Sequence, residues 1–177
     1  MRLSTSRLVL RPFEDRDARA VIAWLNDPQV SRWLIRVPQP YRQSDFDWWT
    51  GLVNASHASG QAAHFAIAYR HTGQVIGGVS IADPGAGRDE FGYWLARPWW
   101  GQGLMVEAGR AVLAHGFAYL NAPAMVATVH PDNRRSSRVL EKLGFRPAEM
   151  RPLPRPNRYH LPMAPAWSLD RNHWRAS

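Results

Sequence analysis

Gly101 and Gly103 stand one residue apart, behind Trp99 and Trp100 and ahead of a helical pattern, in the stretch PWWGQGLMVEAG. A strand, a glycine turn and a helix in that order can hold an anion. The first N–H groups of a helix have no partner inside it, the helix dipole adds partial positive charge there, and glycine lets the backbone approach a ligand closely. Two phosphate-binding versions of this device do not fit. The dinucleotide fingerprint GxGxxG needs a glycine where Val106 stands, and the P-loop needs a lysine and a hydroxyl after its second glycine, whereas Lys142 is the only lysine. The pair alone leaves open a tight connection or a ligand site.

Groups that could move protons are few. Asp89 and Glu90 begin the run DEFGYWLA, where strand alternation puts Glu90, Gly92 and Trp94 on one face and Asp89, Phe91 and Tyr93 on the other. Only one of the two acids can then point into a given cleft. His130 closes the run AMVATVH and could act as base or acid, or be structural. The histidines lack HExxH or any similar paired spacing, so no metal site is expected.

The elements that must position these groups follow from pattern. SRLVLRPF alternates like a strand, and EDRDARAVIAWLND follows with Ala18, Val21, Ile22 and Leu25 at helical spacing, closed by Asn26, Asp27 and Pro28. A second helix is expected over Ser44–Ala58. HFAIAYR and GQVIGGVSIAD, separated by HTG, read as a hairpin, and DEFGYWLA as a further strand ended by Arg97 and Pro98. Val106, Gly109, Leu113, Phe117 and Leu120 share one face of a helix from Gly101 to about Leu120. AMVATVH is a short strand, NRRSSRVLEKLGF a helix with Gly144 as its left-handed end, and FRPAEM another strand. The proline-crowded RPLPRPNRYHLPMAP reads as a loop, and AWSLDRNHW as a last strand on an edge. This order argues for a mixed sheet covered by helices.

Composition bounds the function. A chain of 177 residues, 45% hydrophobic and 20% charged, suits one globular domain, residues 1–177. No apolar run is long enough to span a bilayer, and the N-terminus lacks a signal-peptide h-region, so a cytoplasmic location is expected. The absence of cysteine excludes disulfides, thiolate metal sites and a cysteine nucleophile. A net charge of +8 hints at an anionic partner, yet it is nearly all arginine and spread along the chain, which favours a solvated basic surface over a nucleic-acid patch. Nine tryptophans leave room for an apolar interface such as that of a homodimer.

Three stretches together choose among the readings. YWLARPWWGQGLMVEAG resembles the acetyl-CoA motif of the GCN5-related N-acetyltransferase (GNAT) superfamily, in the branch of the ribosomal-protein N-terminal acetyltransferases RimJ and RimL. Tyr93, Trp94, Trp100, Gly101, Gly103 and Glu107 carry that likeness. TSRLVLRPFEDRD is similar to the branch's opening strand through Arg7, Leu8, Leu10, Arg11 and Asp17. NRRSSRVLEKLGF is similar to its second cofactor motif through Asn133, Ser136 and Arg138 to Phe145. The resemblance implies a mixed α/β fold: a central, mostly antiparallel twisted sheet of about seven strands flanked by helices, with a splayed strand pair forming the acetyl-CoA cleft.

It also implies site residues. Leu95, Ala96, Arg97, Trp100, Gly101, Gln102, Gly103, Leu104, Met105, Asn133 and Arg138 are the expected cofactor contacts. Pro98 stands where the wider superfamily carries Gln or Arg, which leaves the pyrophosphate to the main-chain N–H groups of Gly101 to Met105. A main-chain N–H near Leu95 would face the acetyl oxygen. An amine attacks a thioester only when neutral, so a base is useful, and the departing thiolate benefits from an acid. Glu90 is the expected base with Asp89 its competitor, and Ser136 the expected acid, or else a serine that only bonds the backbone or cofactor. Glu107 suits the helix N-terminal turn rather than chemistry.

The implied activity is direct acetyl transfer from acetyl-CoA to a primary amine, a protein N-terminus first and a small amine (polyamine, amino acid or antibiotic) second. The acceptor would lie against VSRWLIRVPQPYRQSDFDWW and RPLPRPNRYHLPMAP, whose Arg32, Arg36, Arg42, Arg155 and Arg158 could favour an acidic or ribosomal partner. A non-catalytic acyl-CoA-binding module on the same scaffold and an RNA-binding protein are the rival readings.

Overall fold

Leu8 and Leu10 are wholly buried, as the alternation of LVLR requires of a strand covered by helices. A computed structural model describes residues 1–58, 62–82, 89–119, 123–153 and 160–174. The strands are β1 (Leu3–Ser4), β2 (Leu8–Arg11), β3 (Ala62–Tyr69), β4 (Val75–Ala82), β5 (Asp89–Leu95), β6 (Ala124–Thr128), β7 (Arg146–Pro152) and β8 (Met163–Asp170). The helices are α1 (Ala18–Leu25), α2 (Pro28–Ser31), α3 (Gln43–Ala58), α4 (Leu104–Tyr119) and α5 (Arg134–Lys142).

All eight strands form one sheet in the order β1-β2-β3-β4-β5-β6-β8-β7, antiparallel throughout except at β5–β6. The expected sheet of about seven strands gains β1, whose two residues are too short to show a period-2 pattern. Helices cover both faces. Phe65, Ile67, Ile81, Phe91 and Met125 pack with Val112 and Leu113 of α4 on one side. Ala66, Ala68 and Val75 pack with Val21 and Leu25 of α1 and Phe46 of α3 on the other. Among the described residues no helix is long and apolar enough to cross a membrane.

Three boundaries differ from the sequence expectation. Asp27 does not end α1 but caps α2, its carboxylate accepting from Gln29 N–H at 2.9 Å, with Pro28 in the first helical position. Helix α4 starts at Leu104 because both glycines before it have positive φ, and Leu120 lies outside the described residues. The final strand β8 is not an edge; it lies between β6 and β7. Pro165 is tolerated there because the β7–β8 register shifts opposite it, between Ala148 and Arg151, while its carbonyl still accepts from Val129 N–H at 3.1 Å. The edge falls to β7, whose Pro147 and Pro152 lack donors. The expected loop is correspondingly shorter, since β7 and β8 take its ends.

Two ionic contacts tie the opening segment to this frame. Arg11 meets Asp17 in a buried bidentate pair, 2.7 and 2.8 Å, and Asp17 also accepts from Glu14 N–H, so β2 is joined to the turn that launches α1. The second is centred on Glu107, in the first turn of α4. Its carboxylate accepts from Thr5 Oγ1 (2.5 Å), Ser6 Oγ (3.0 Å), Arg7 N–H (2.8 Å) and Arg7 Nε (2.7 Å). Burial alone would raise its pKa, but these donors outweigh that and hold it at about 2. Glu107 therefore pins the β1–β2 turn to the start of α4.

The depressed pKa makes this pin acid-labile. Its stabilisation is complete above the ordinary pKa of 4.5 and is lost as pH falls toward about 2. Glu107→Gln is expected to cost about 1–3 kcal/mol at neutral pH. The variant should also flatten the fall of the urea midpoint between those two pH values; an unchanged acid slope would refute the assignment.

Candidate active site

Strands β5 and β6 pair at only two positions, Asp89↔Met125 and Glu90↔Val126, and then part. The gap opens two clefts, of about 420 and 490 Å³, and Trp33, Leu34, Phe91 to Trp94 and Thr128 border both. Ala96 N–H donates to Ile76 O on β4 at 2.8 Å. By the alternation of an antiparallel ladder, the N–H groups of Leu95 and Tyr93 therefore face away from β4, toward the gap. The carbonyl of Leu95, turned the same way, accepts from Trp100 Nε1 at 2.7 Å.

The first cleft lies against the glycine turn. Gly101 and Gly103 both have φ of +76°, in the left-handed region that side-chain-bearing residues disfavour. The first bond inside α4 runs from Glu107 N–H to Gly103 O, 3.1 Å, so the N–H groups of Leu104, Met105 and Val106 come before it. Arg7 braces the turn from behind, Nη1 donating to Gln102 O at 3.0 Å. Of the expected contacts, Leu95, Trp100, Gly101, Gly103, Leu104, Met105, Asn133 and Arg138 line this cleft, and so does Ser136.

Three expected contacts do not. Ala96 is fully buried, Arg97 Nε donates to Asp27 Oδ2 at 3.1 Å, and Gln102 turns its amide to Pro98 O, 3.1 Å. Arg135 and Lys142 line the cleft and were not among the expected residues. With Arg138 they sit three and four residues apart on α5, a helical stripe that the sequence already displays. Arg135 also stacks over Trp100, 4.9 Å from the ring centroid. Helix-terminal N–H groups opposite three cations fit a polyphosphate ligand.

Ser136 sits in the first turn of α5, where Asn133 accepts from its N–H at 3.2 Å as the helix cap. The Asn133 carbonyl thus serves the helix, leaving the NH₂ end of the amide outside that bond. Tyr93, on β5, places its hydroxyl 2.7 Å from Ser136 Oγ and 3.1 Å from Ser136 O. Burial pushes the Tyr93 phenol well above its ordinary pKa, only partly offset by Ser136, so it stays protonated at neutral pH. The sequence marked Tyr93 as part of a motif but could not reveal this pair, which joins residues 43 apart. His130 lines the same cleft with Nδ1 accepting from Asp132 N–H, 3.2 Å.

Glu90 lies on the other side. It lines the second cleft, where strands β5 and β6 last touch, and Arg36 Nη2 meets its Oε2 at 3.3 Å. The side chain of Asp89 lies outside the described ones, as do Arg155 and Arg158. Both stretches expected to meet the acceptor border this cleft, through Trp33 to Val37 and Trp49 from the first and Arg151 to Leu153 from the second. Arg32 instead stacks on Trp33, and Arg42 is exposed. Among the described residues no cluster of His, Asp and Glu is placed to hold a metal.

Comparison with known proteins agrees with this architecture. The family model described as "Acetyltransferase (GNAT) domain" matches residues 7–146. An uncharacterized N-acetyltransferase, p20 of Bacillus licheniformis, is 34% identical over 145 residues, 81% of each chain. The [ribosomal protein uS5]-alanine N-acetyltransferase of Escherichia coli is 28% identical over 154 residues, 82% of this chain and 78% of that one. In fold, the chain is similar to Mycobacterium smegmatis RimJ in complex with CoA-disulfide, with a TM-score of 0.77 at 22% identity over 93% of this chain and 82% of that one. Family match, sheet topology and a parted β5–β6 pair coincide: the chain belongs to the GNAT acetyltransferase family and is an N-acetyltransferase.

Proposed function

We propose that the protein moves the acetyl group of acetyl-CoA directly onto the α-amine of a protein N-terminus, as one cytoplasmic domain. The observation that carries this reading is the parting of β5 and β6, which joins an anion-binding cleft to a second cleft holding a carboxylate. The choice of a protein acceptor leans on the uS5-alanine acetyltransferase relative.

Acetyl-CoA supplies, when bound, a thioester whose carbonyl carbon an amine can attack and whose sulfur leaves as thiolate. The residues of the chain do the rest. Main-chain N–H groups from Gly101 to Met105 hold the pyrophosphate, with Arg135, Arg138 and Lys142 adding charge and Asn133 contacting the cofactor arm. The Leu95 N–H stabilises negative charge on the acyl oxygen. Glu90 takes the proton of the arriving ammonium from the second cleft, directly or through water, in exchange for its Arg36 contact. Tyr93 has one hydroxyl proton; when it goes to Ser136 Oγ, the serine proton is free to meet the leaving sulfur.

A mass increase of one acetyl group on a peptide with a free N-terminus, absent on the same peptide with a blocked one, tests the acceptor. Acetylation of polyamines but of no peptide would overturn it. Glu90→Gln is expected to lower kcat about 10²- to 10⁴-fold near neutral pH, with part of the loss recovered as pH rises through the amine pKa of about 8. Gly103→Ala should act differently, raising KM for acetyl-CoA about tenfold, because the left-handed backbone it requires costs about 1–2 kcal/mol with a Cβ present. Tyr93→Phe should lower kcat with KM for acetyl-CoA unchanged; equal loss in both would make the phenol structural.

A further inference from the structure

Resting on the acetyl-transfer reading, we infer that the preferred acceptor carries a bulky apolar side chain, aliphatic or aromatic, beside its reacting amine, and that the second cleft is the pocket for it. The floor of that cleft is the Trp94 indole, seated against β4 where residue 78 is glycine: a Cβ there would lie 2.6 Å from Trp94 Nε1 and 3.2 Å from Phe13 Cζ. Trp49 forms a wall, edge-on to Phe13 with ring centroids 4.8 Å apart. Val37, with Trp33 and Leu34 at the border to the first cleft, supplies another wall from the segment after α2, and all three, like Trp49, are only half-buried. The half-buried apolar walls leave surface that a bulky apolar side chain would cover and the methyl group of an alanine would not.

Charge fixes the orientation. Among the described lining residues Glu90 is the only carboxylate, and it stands on β5 at the last position paired with β6. An ammonium group is drawn there, and the side chain next to it falls among the indoles. A second cation on the acceptor would meet Arg36 and Arg151. An acidic side chain could reach Arg36 and Arg151, but Arg36 is already paired with Glu90 and the tryptophans would strip the carboxylate of its hydration.

The test is a peptide panel identical but for the first residue, Phe, Leu, Ala, Ser, Asp or Lys, with kcat/KM read on the unaltered protein by thiol release from acetyl-CoA. Phe and Leu are expected to exceed Ala by about tenfold or more, and Asp and Lys to fall below it. Trp49→Ala, checked for folding by its thermal melt, should bring the Phe-to-Ala ratio toward one. A flat profile, or a preference for Ala, Ser, Asp or Lys, overturns the inference. If no peptide reacts but phenethylamine outperforms ethylamine and putrescine, the pocket stands and the protein N-terminus falls. No turnover on any amine overturns both.

Discussion

Everything in the site depends on a pairing that stops. Two parallel strands that share one sheet would ordinarily keep their ladder for their full length, and β5 and β6 abandon theirs after two residues. The backbone of β5 beyond Glu90 then pairs with β4 on one side only, so its other row faces the gap, where Trp100 takes the Leu95 carbonyl and the N–H groups of Tyr93 and Leu95 point toward whatever enters. Several neighbouring features border the opening. Trp100 ties itself to the Leu95 carbonyl, Tyr93 reaches across to α5, and β8 takes up the far side of β6. The opening is thus part of the fold rather than a dent in its surface.

Because the opening runs through the sheet, its two mouths have different chemistry. On the α4–α5 side are helix-terminal N–H groups, the cations of α5 and the Tyr93–Ser136 pair; on the α1–α3 side are Glu90, Arg36 and Trp49, while Trp33 and Trp94 border both. Strand alternation enforces this division. Tyr93 and Glu90 differ by an odd number of residues along β5 and so must project to opposite faces. A donor and an acceptor can approach the same backbone gap from opposite sides without competing for space.

Much of this was legible in the sequence, and the exceptions share a physical cause. The alternation in β2 and β5, the apolar runs of β3 and β4, the helical face of α4 and the left-handed Gly144 at the end of α5, φ +90°, all report local geometry that a few residues determine. The glycine turn was readable for the same reason. Placement of β8 was not, since a strand between two others and a strand on an edge can carry similar residues, and Pro165 argued for the edge. Site contacts were missed where they join distant segments: Tyr93 with Ser136, Glu90 with Arg36, Arg7 with the turn at Gln102. Arg97 and Ala96 were expected at the cleft because they lie beside the turn in sequence, yet Ala96 is buried with its N–H bonded to β4 and Arg97 turns to Asp27.

The bracing of the glycine turn by Arg7 and Glu107 has a consequence for the order of folding. These contacts close a loop of about a hundred residues, among the most costly in chain entropy that this topology requires. The β3–β4 hairpin and the helices can form from neighbouring residues, whereas the turn receives its brace only once the two ends of that long loop have met. A chain emerging from synthesis exposes its first strand long before Glu107 exists to hold it. The first cleft is therefore expected to be among the last parts of the molecule to become rigid, although its glycines lie near the middle of the sequence.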